Sequence, residues 1–213
     1  MAGYAKTYPA IMIETIYYSD QRHGKDMNSR MLNIVLHEPE IPFNTGAIGR
    51  SCVASHSALH LIRPYGFELS DKYLKRAGMD YWPKLTLSEY DSYPDFLSQH
   101  PGLQFCDNFS EAELNEREVL NMPKLWFATT KGQKIYSDAA LGPNDYIMFG
   151  KESAGIPEEI LVEKPRSCIR IPMYEDIRSL NLSNSVAILL YEALRQNDFM
   201  QLERQGSLHR LHW

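Results

Sequence analysis

The sequence has few cysteines, no long apolar run and no excess of positive charge. Its three cysteines, Cys52, Cys106 and Cys168, lie far apart and include no Cys-x-x-Cys pair, so they predict buried reduced thiols, with no disulfide framework and no metal site. No apolar run reaches the roughly 18 to 20 residues that a membrane-spanning helix needs, and the amino terminus lacks the basic-then-apolar order of a secretory signal. We therefore expect a cytoplasmic protein.

The charge balance argues against a non-specific nucleic-acid-binding protein. The chain has 22 basic and 27 acidic residues, a formal net charge of −5, and so lacks the overall positive field that attracts polyanions. Any contact with nucleic acid is expected to be local. The best candidate is the stretch 63–84, where basic residues outnumber acidic ones, although such a charge run is also typical of an exposed helix face.

The length and composition fit one α/β domain with short appendages. A chain of 213 residues, 44% hydrophobic and 23% charged, is long enough to bury a sizeable core and lies close to the globular average. Residues 1–30 show no sustained period and are expected to be a poorly ordered extension or the product of a mis-called start. We place the folded domain at 31–200, an acid-rich insertion within it at 103–122, and a tail at 201–213.

Apolar runs of strand length alternate with helical patterns from residue 31 onward. This alternation predicts a parallel sheet with helices on both faces. The predicted strands are 32–36, 58–62, 85–87, 125–129, 146–149 and 168–171. The predicted helices are 44–57, opened by an Asn44 cap, the basic segment 70–77, then 93–99 and the apolar-striped 181–199. Within the insertion, Ser110-x-x-Glu113 predicts a capping box.

Segments that follow predicted strands are the places to look for chemistry, because parallel sheets bind ligands at the carboxyl ends of their strands. The segment 42–52 enters a helix with Gly46 and Gly49, which allow close backbone approach, and with Arg50 as a permanent cation. A surface ion pair is the simpler interpretation of Arg50.

Two later segments have similar positions. The segment 149–157 has glycines five apart and matches neither a dinucleotide fingerprint nor a phosphate loop. Its Glu152 is placed to accept hydrogen bonds from the backbone of a neighbouring loop, and a plain turn is the alternative. The segment 171–186 has more small polar residues than the one helix cap that Asn181 or Ser183 would provide, which indicates a polar pocket floor.

Taken jointly and in this order, the three segments resemble the signature motifs of the SPOUT class of RNA 2′-O-methyltransferases. Residues 32–42, 75–81 and 129–132 also resemble the small single-domain branch that methylates the wobble ribose of tRNA. The resemblance covers almost all of residues 31–196. The matching motifs read Asn44-x-Gly46-x-x-x-Arg50, Phe149-Gly150-x-Glu152-x-x-Gly155-x-Pro157 and Ile171-Pro172…Ser179-Leu180-Asn181-Leu182-Ser183-Asn184.

The resemblance implies a fold and partners that periodicity does not show. It implies a SPOUT-type α/β knot, in which the carboxyl-terminal segment forms a deep trefoil knot that general topology rules treat as essentially absent. It also implies a homodimer that binds S-adenosylmethionine, without a metal, and the anticodon stem-loop of tRNA across the dimer interface. The donor pocket implied by matching positions is lined by Ala128, Gly150, Ile171, Ser179 and Leu180.

The same matching assigns roles at the acceptor side. Arg50 matches the arginine that the family places there. Because a guanidinium is always protonated in proteins and so is a poor proton acceptor, we expect Arg50 to clamp an RNA phosphate and stabilise the developing alkoxide. Ser183 and Asn184 are expected to orient the ribose and the loop. Asn44 is expected to position Arg50, and Glu152 to tie the motif loops together.

The chain also departs from the family pattern, and other functions fit it. Phe43 and Ala47 stand where wobble-methylating relatives usually carry proline and asparagine, and Ala154 stands where many carry arginine. One alternative function is methylation of ribosomal RNA by an enzyme of the same class. Another is a non-catalytic RNA-binding or assembly factor on the same fold.

Overall fold

A computed structural model describes residues 31–67, 81–200 and 202–212 of the chain. Two expectations from the sequence lie outside these residues: the amino-terminal extension 1–30 and the basic helix 70–77. No helix in the described ranges is both long and apolar enough to span a bilayer.

The described residues form a parallel sheet, as the alternation of strands and helices predicts. The strand order is β3-β2-β1-β6-β4-β7-β5, and every neighbouring pair is parallel. The strands are β1 (Asn33–His37), β2 (Ala58–Ile62), β3 (Leu87–Tyr90), β4 (Leu125–Ala128), β5 (Lys134–Ile135), β6 (Tyr146–Phe149) and β7 (Cys168–Arg170).

Two strands differ from the sequence prediction. The predicted strand at 85–87 has the wrong bounds, since it shares only Leu87 with β3 (Leu87–Tyr90). A 3-10 turn at residues 82–84 precedes the strand. Strand β5 has only two residues at the edge of the sheet, too few for alternation of apolar and polar residues to reveal it.

The helices in the described ranges pack on the two faces of the sheet. They are α1 (Pro42–Ala54), α2 (Tyr93–Gln99), α3 (Arg117–Asn121), α4 (Glu158–Leu161) and α5 (Leu182–Gln196). The predicted Asn44 cap is wrong: Ile41 occupies the cap position of α1 without a side-chain hydrogen bond, and Pro42 begins the helix. Proline suits this position because its φ is already helical and the missing N–H would have no partner there.

Helix α5 confirms the predicted apolar stripe, within narrower bounds. The Asn181 side chain caps its amino terminus by accepting hydrogen bonds from the backbone N–H groups of Ser183 and Asn184. The stripe is fully buried and packs against α1 and the sheet. It consists of Val186, Leu189, Leu190 and Ala193.

The core has two hydrophobic clusters, one on each face of the sheet. Strand β1 contributes to both, because Ile34 and Leu36 belong to one cluster and Val35 to the other. A strand covered on both faces is continuously apolar rather than alternating, which explains its sequence. The three cysteines are buried and free, as predicted.

The segment 103–122 is anchored at the amino end of β7. The carboxylate of Asp107 accepts hydrogen bonds from the backbone of Arg166 at 2.9 Å and from the hydroxyl of Ser167 at 2.7 Å. The predicted capping box is present: Ser110 N–H donates to the Glu113 carboxylate at 2.7 Å, and Glu113 N–H donates to the Ser110 hydroxyl at 3.3 Å. The segment therefore lies at the end of the sheet opposite the carboxyl ends of the strands.

Candidate active site

Loops from the four neighbouring strands β1, β6, β4 and β7 meet at the carboxyl edge of the sheet. They enclose a cavity of about 360 Å³. All five residues assigned to the donor pocket lie on its wall, and Asn44 and Glu152 lie there too. The donor-pocket residues are Ala128, Gly150, Ile171, Ser179 and Leu180.

The loop after β6 makes one wall from backbone. Lys151 and Gly155 form an antiparallel bridge, and the Gly155 N–H donates to the Lys151 carbonyl at 2.8 Å. A side chain on Gly150 would place its Cβ 2.0 Å from the carbonyl carbon of Gly155, and Gly155 itself has φ of +75°. Both positions therefore require glycine, one for space and one for conformation.

Glu152 joins this loop to the start of α1. Its carboxylate accepts hydrogen bonds from the backbone N–H groups of Glu40 at 2.9 Å and Ile41 at 3.3 Å, which confirms the predicted contact with a neighbouring loop. It also accepts a hydrogen bond from the Asn44 side-chain amide at 2.8 Å. The side-chain Oδ1 of Asn44 in turn accepts a hydrogen bond of 3.1 Å from the side-chain amide of Asn181. One chain of hydrogen bonds thus connects all three motifs.

The side chain of Asn44 bonds Glu152 and Asn181. Its expected role in positioning Arg50 stays a prediction. The contact of Arg50 is with Tyr81, whose ring centroid lies 4.7 Å from the guanidinium carbon.

None of the three residues predicted to be catalytic is on the wall of the cavity, although Ser183 and Asn184 lie between the lining residues Leu182 and Ser185 along α5. Arg50 is exposed on α1, and Asn184 is exposed in the first turn of α5. The Ser183 hydroxyl donates a 2.7 Å hydrogen bond to the Asn181 side chain. Because α1 packs against α5, Arg50 belongs to the same helix pair as Ser183 and Asn184.

Sequence reasoning did not assign a role to Arg178, which closes one side of the cavity. Its guanidinium donates to the Ser153 carbonyl at 2.5 Å. Ser153 donates from its N–H and its hydroxyl to the Glu40 carboxylate, each at 2.8 Å. The position of Arg178 directly before Ser179, in the third motif, is the signal that could have identified it.

The loop after β4 is the other contribution that the site assignment missed. Thr129, Thr130 and Lys131 line the cavity, and the Thr129 N–H donates to the Ile169 carbonyl at 2.9 Å. Their place at the carboxyl end of a predicted strand was the available signal.

Charged groups around the cavity are paired with one another. Lys151 contacts Glu38 at 2.9 Å, and this bond raises the pKa of Lys151. Lys131 contacts Glu158 at 2.9 Å, and hydrogen bonds from Ser153 lower the pKa of Glu40. Among the described lining residues the only carboxylate is that of Glu152, and there is no histidine. Lys131, Lys151 and Arg178 also line the cavity, and they already have partners in Glu158, Glu38 and the Ser153 carbonyl. Besides these groups, the cavity offers backbone and hydroxyl groups to a ligand.

The cavity chemistry fits S-adenosylmethionine. Its wall combines apolar side chains with backbone and hydroxyl groups, and its volume falls in the range of roughly 300 to 1,000 Å³ typical of small-molecule sites. The apolar side chains suit the adenine and thioether parts, and the backbone and hydroxyl groups suit the amino acid and ribose parts. The apolar residues of the wall include Ile156, Ile169, Leu182 and Leu189.

Comparisons with known proteins identify similar chains. Residues 31–191 match the model of the SpoU rRNA Methylase family. A tRNA (cytidine(34)-2′-O)-methyltransferase of Photorhabdus asymbiotica is 43% identical over 167 residues, which cover 78% of this chain and 94% of that protein.

Two solved structures are also similar. One, described as giving structural insights into the 2-OH methylation of C/U34 on tRNA, is 38% identical with a TM-score of 0.65 and covers 79% of this chain and 97% of its own. The other, an AdoMet-bound rRNA methyltransferase from Sinorhizobium meliloti, is 22% identical with a TM-score of 0.61. It shares the fold, and the match covers 78% of this chain but only 56% of that one.

Proposed function

Since the chain belongs to the SpoU rRNA methylase family, we propose that it transfers a methyl group from S-adenosylmethionine to the 2′-hydroxyl of the wobble nucleotide of tRNA. The acceptor is cytidine or a modified uridine. The observation that carries the proposal is 43% identity over 94% of the length of a relative named for cytidine 34 of tRNA. A cytoplasmic location follows from this substrate, since tRNA is modified where it is used.

The cavity supports the choice of methyl donor. S-adenosylmethionine, when bound, supplies an electrophilic methyl group on a sulfonium centre. Gly150 lets the loop after β6 fold back onto the backbone of Gly155 and so form the wall, while Ala128 and Ile171 are apolar and exclude water from the cavity. The trefoil knot implied by the family resemblance stays a prediction.

The acceptor-side residues perform binding and alignment. The forked guanidinium of Arg50 binds an RNA phosphate and the developing alkoxide, while Ser183 and Asn184 orient the ribose. Since Glu152 already accepts hydrogen bonds from three N–H groups, we assign it to holding the motif loops together rather than to proton transfer. The hydroxyl proton therefore leaves to water or to an RNA phosphate as the oxygen–carbon bond forms and the sulfur–carbon bond breaks.

The dimer is part of the same proposal. Ile188 and Tyr191 lie on the outward side of α5 and are 36% and 47% exposed. An apolar face on a helix that otherwise packs on the core suits a second copy of the chain. Sedimentation velocity with Tyr191→Asp tests it, because a charge at the interface should release monomers.

The similarity to a named tRNA enzyme favours tRNA over ribosomal RNA as the substrate. The match to the enzyme of Photorhabdus asymbiotica is 43% identical and spans 94% of that protein. The non-catalytic alternative is disfavoured because the chain has Arg50, Ser183 and Asn184 at the motif positions together with a cavity that fits a methyl donor.

Nucleoside mass spectrometry of tRNA from cells lacking the gene tests the proposal. Loss of 2′-O-methyl groups at the wobble position is the expected result, with return on expression of the wild-type chain. Methylation of a purified anticodon stem-loop, compared with the same RNA carrying a 2′-deoxy wobble nucleotide, is the matched assay in vitro. Unchanged ribose methylation in the anticodon loop would remove the assignment, and label transfer to ribosomal RNA alone would favour the alternative enzyme.

A further inference from the structure

Tyr81 contacts Arg50 and its helix in two separate ways. The guanidinium carbon of Arg50 lies 4.7 Å from the centroid of the Tyr81 ring. The Tyr81 hydroxyl donates a 2.6 Å hydrogen bond to the carbonyl oxygen of Gly46, one helical turn before Arg50 on α1. The hydroxyl thus fixes the ring against the helix that carries the arginine.

The backbone next to Tyr81 is held in place by close packing. The 3-10 turn 82–84 lies against α1 so tightly that a Cβ on Gly49 would be 2.9 Å from the Trp82 ring. Lys84 N–H donates to the Tyr81 carbonyl at 2.9 Å, which closes the turn. The position of the Tyr81 ring is therefore set from both sides, by its own turn and by the Gly46 carbonyl.

A stacked ring prepares an arginine for an anion without consuming its donors. The guanidinium carbon of Arg50 lies over the Tyr81 ring, and such a contact engages the positive charge with the ring electrons without using the N–H groups as hydrogen-bond donors. A carboxylate partner would occupy those N–H groups, and no carboxylate in the described part of the chain forms an ion pair with Arg50. The contact also restricts the rotamers of Arg50 before the anion binds, so less side-chain entropy is lost on binding.

We propose that Tyr81 is a positioning residue for the methyl-transfer site, which presents the guanidinium of Arg50 edge-first to an oxygen anion of the acceptor nucleotide. The inference rests on the proposed function for the identity of that anion. It extends the site to the turn 81–84, whose described residues do not line the cavity.

Three replacements at position 81 distinguish the effect of the ring's charge distribution from the effect of its shape. Tyr81→Phe keeps an electron-rich ring and loses the hydroxyl. Pentafluorophenylalanine at position 81, introduced by nonsense suppression, keeps a similar shape but reverses the charge distribution of the ring face. Tyr81→Leu removes the ring and serves as a second loss variant.

The measurement is the single-turnover methylation rate constant at saturating anticodon stem-loop, together with the Kd for S-adenosylmethionine. The pentafluorophenyl protein and Tyr81→Leu are expected to react about 2- to 30-fold more slowly than Tyr81→Phe, which is the range of a cation–π contact. Donor Kd should stay equal in all of them, because Tyr81 does not line the cavity. Combined with Arg50→Lys, the Leu replacement should cost much less than it does alone.

A second readout is independent of activity. The heteronuclear NOE of the Arg50 side-chain Nε–H group, assigned by its loss in Arg50→Lys, should be lower in the pentafluorophenyl protein than in Tyr81→Phe. If the wild-type chain methylates no tRNA, the proposed function fails while this measurement still decides the role of Tyr81. Equal NOE values, or equal rate constants for the Phe and pentafluorophenyl proteins, would overturn the proposal.

Discussion

The carboxylate of Glu152 accepts a 2.8 Å hydrogen bond from the side-chain amide of Asn44, although 108 residues separate them along the chain. This bond fastens the loop after β6 to the start of the helix that carries Arg50. The bond is one of several polar contacts that hold the donor side and the acceptor side of the candidate site together.

Replacing Glu152 with Gln should destabilise the protein and weaken donor binding. Glutamine has one acceptor oxygen, whereas Glu152 uses both of its oxygens to accept bonds from Glu40, Ile41 and Asn44. At least one N–H group loses its partner, which costs about 1 to 3 kcal/mol. Urea denaturation and calorimetric titration with S-adenosylmethionine measure the two effects.

The matched control for this variant is Glu158→Gln. Glu158 is exposed, and its ion pair with Lys131 is on the surface, so the free energy of unfolding should change by less than about 1 kcal/mol. If both replacements lowered the free energy of unfolding equally, the hydrogen bonds of Glu152 would not explain the loss of stability.

Gly150→Ala should abolish binding of S-adenosylmethionine. The added Cβ would lie 2.0 Å from the carbonyl carbon of Gly155, and the conflict is with backbone rather than with a flexible side chain. We expect a loss of about 1 to 3 kcal/mol in stability and a donor Kd above the measurable range. Gly206→Ala is the control, since nothing lies within 4 Å of its added Cβ. A Gly150→Ala protein with normal donor affinity would contradict the backbone wall.

Arg50→Lys should lower methyl transfer while leaving fold and donor binding intact. Lysine keeps the charge but loses the planar fork that binds two oxygens at once and stacks on Tyr81. Removing one preorganised donor typically costs about 100- to 1,000-fold in rate, and we expect a loss toward the lower end. Tritiated-methyl transfer to the anticodon stem-loop measures it, with the exposed tail variant Arg204→Lys for comparison. Full activity in Arg50→Lys would exclude the clamp.

Stability should fall as the pH is lowered from 7.5 to 5.5, and His60 should contribute to the fall. Burial lowers the pKa of His60 to about 3, and it lowers the pKa of His37 and His100 as well. Below the ordinary pKa of about 6.5 the unfolded chain then binds more protons than the folded one. This contribution is fully present above that pH and is lost as the pH falls.

The variant His60→Gln isolates the effect. It should be less stable than the wild type at every pH, because His60 hydrogen-bonds Tyr90 at 2.8 Å and Asn33 at 3.1 Å. Its slope of stability against pH should be smaller by up to about 1.4 kcal/mol per pH unit, the value for one proton. Urea denaturation across the pH range gives both numbers. The exposed His209→Gln is the control, and an unchanged slope in His60→Gln would refute the assignment.

Local patterns predicted most of the sheet but not its edges. The strand 58–62 and the helix 93–99 have the predicted bounds, because an apolar run and a serine cap are signals contained in neighbouring residues. Strand β5 was missed because two residues carry no period. The start of α1 was misplaced because Asn44 looks like a cap in isolation, while its amide is used by a distant carboxylate.

The sequence by itself determined the composition of the site: which loops carry glycine, small polar residues and the arginine, and that they follow strands of a parallel sheet. The tertiary structure decided which partners meet. The side chain of Asn44 hydrogen-bonds Glu152 and Asn181. The Tyr81 ring contacts the guanidinium of Arg50, and the guanidinium of Arg178 donates to the Ser153 carbonyl. Periodicity describes neighbours within about one turn of a helix or one step of a strand. Contacts between residues that are 25 to 137 positions apart depend on strand order and packing, which no local pattern contains.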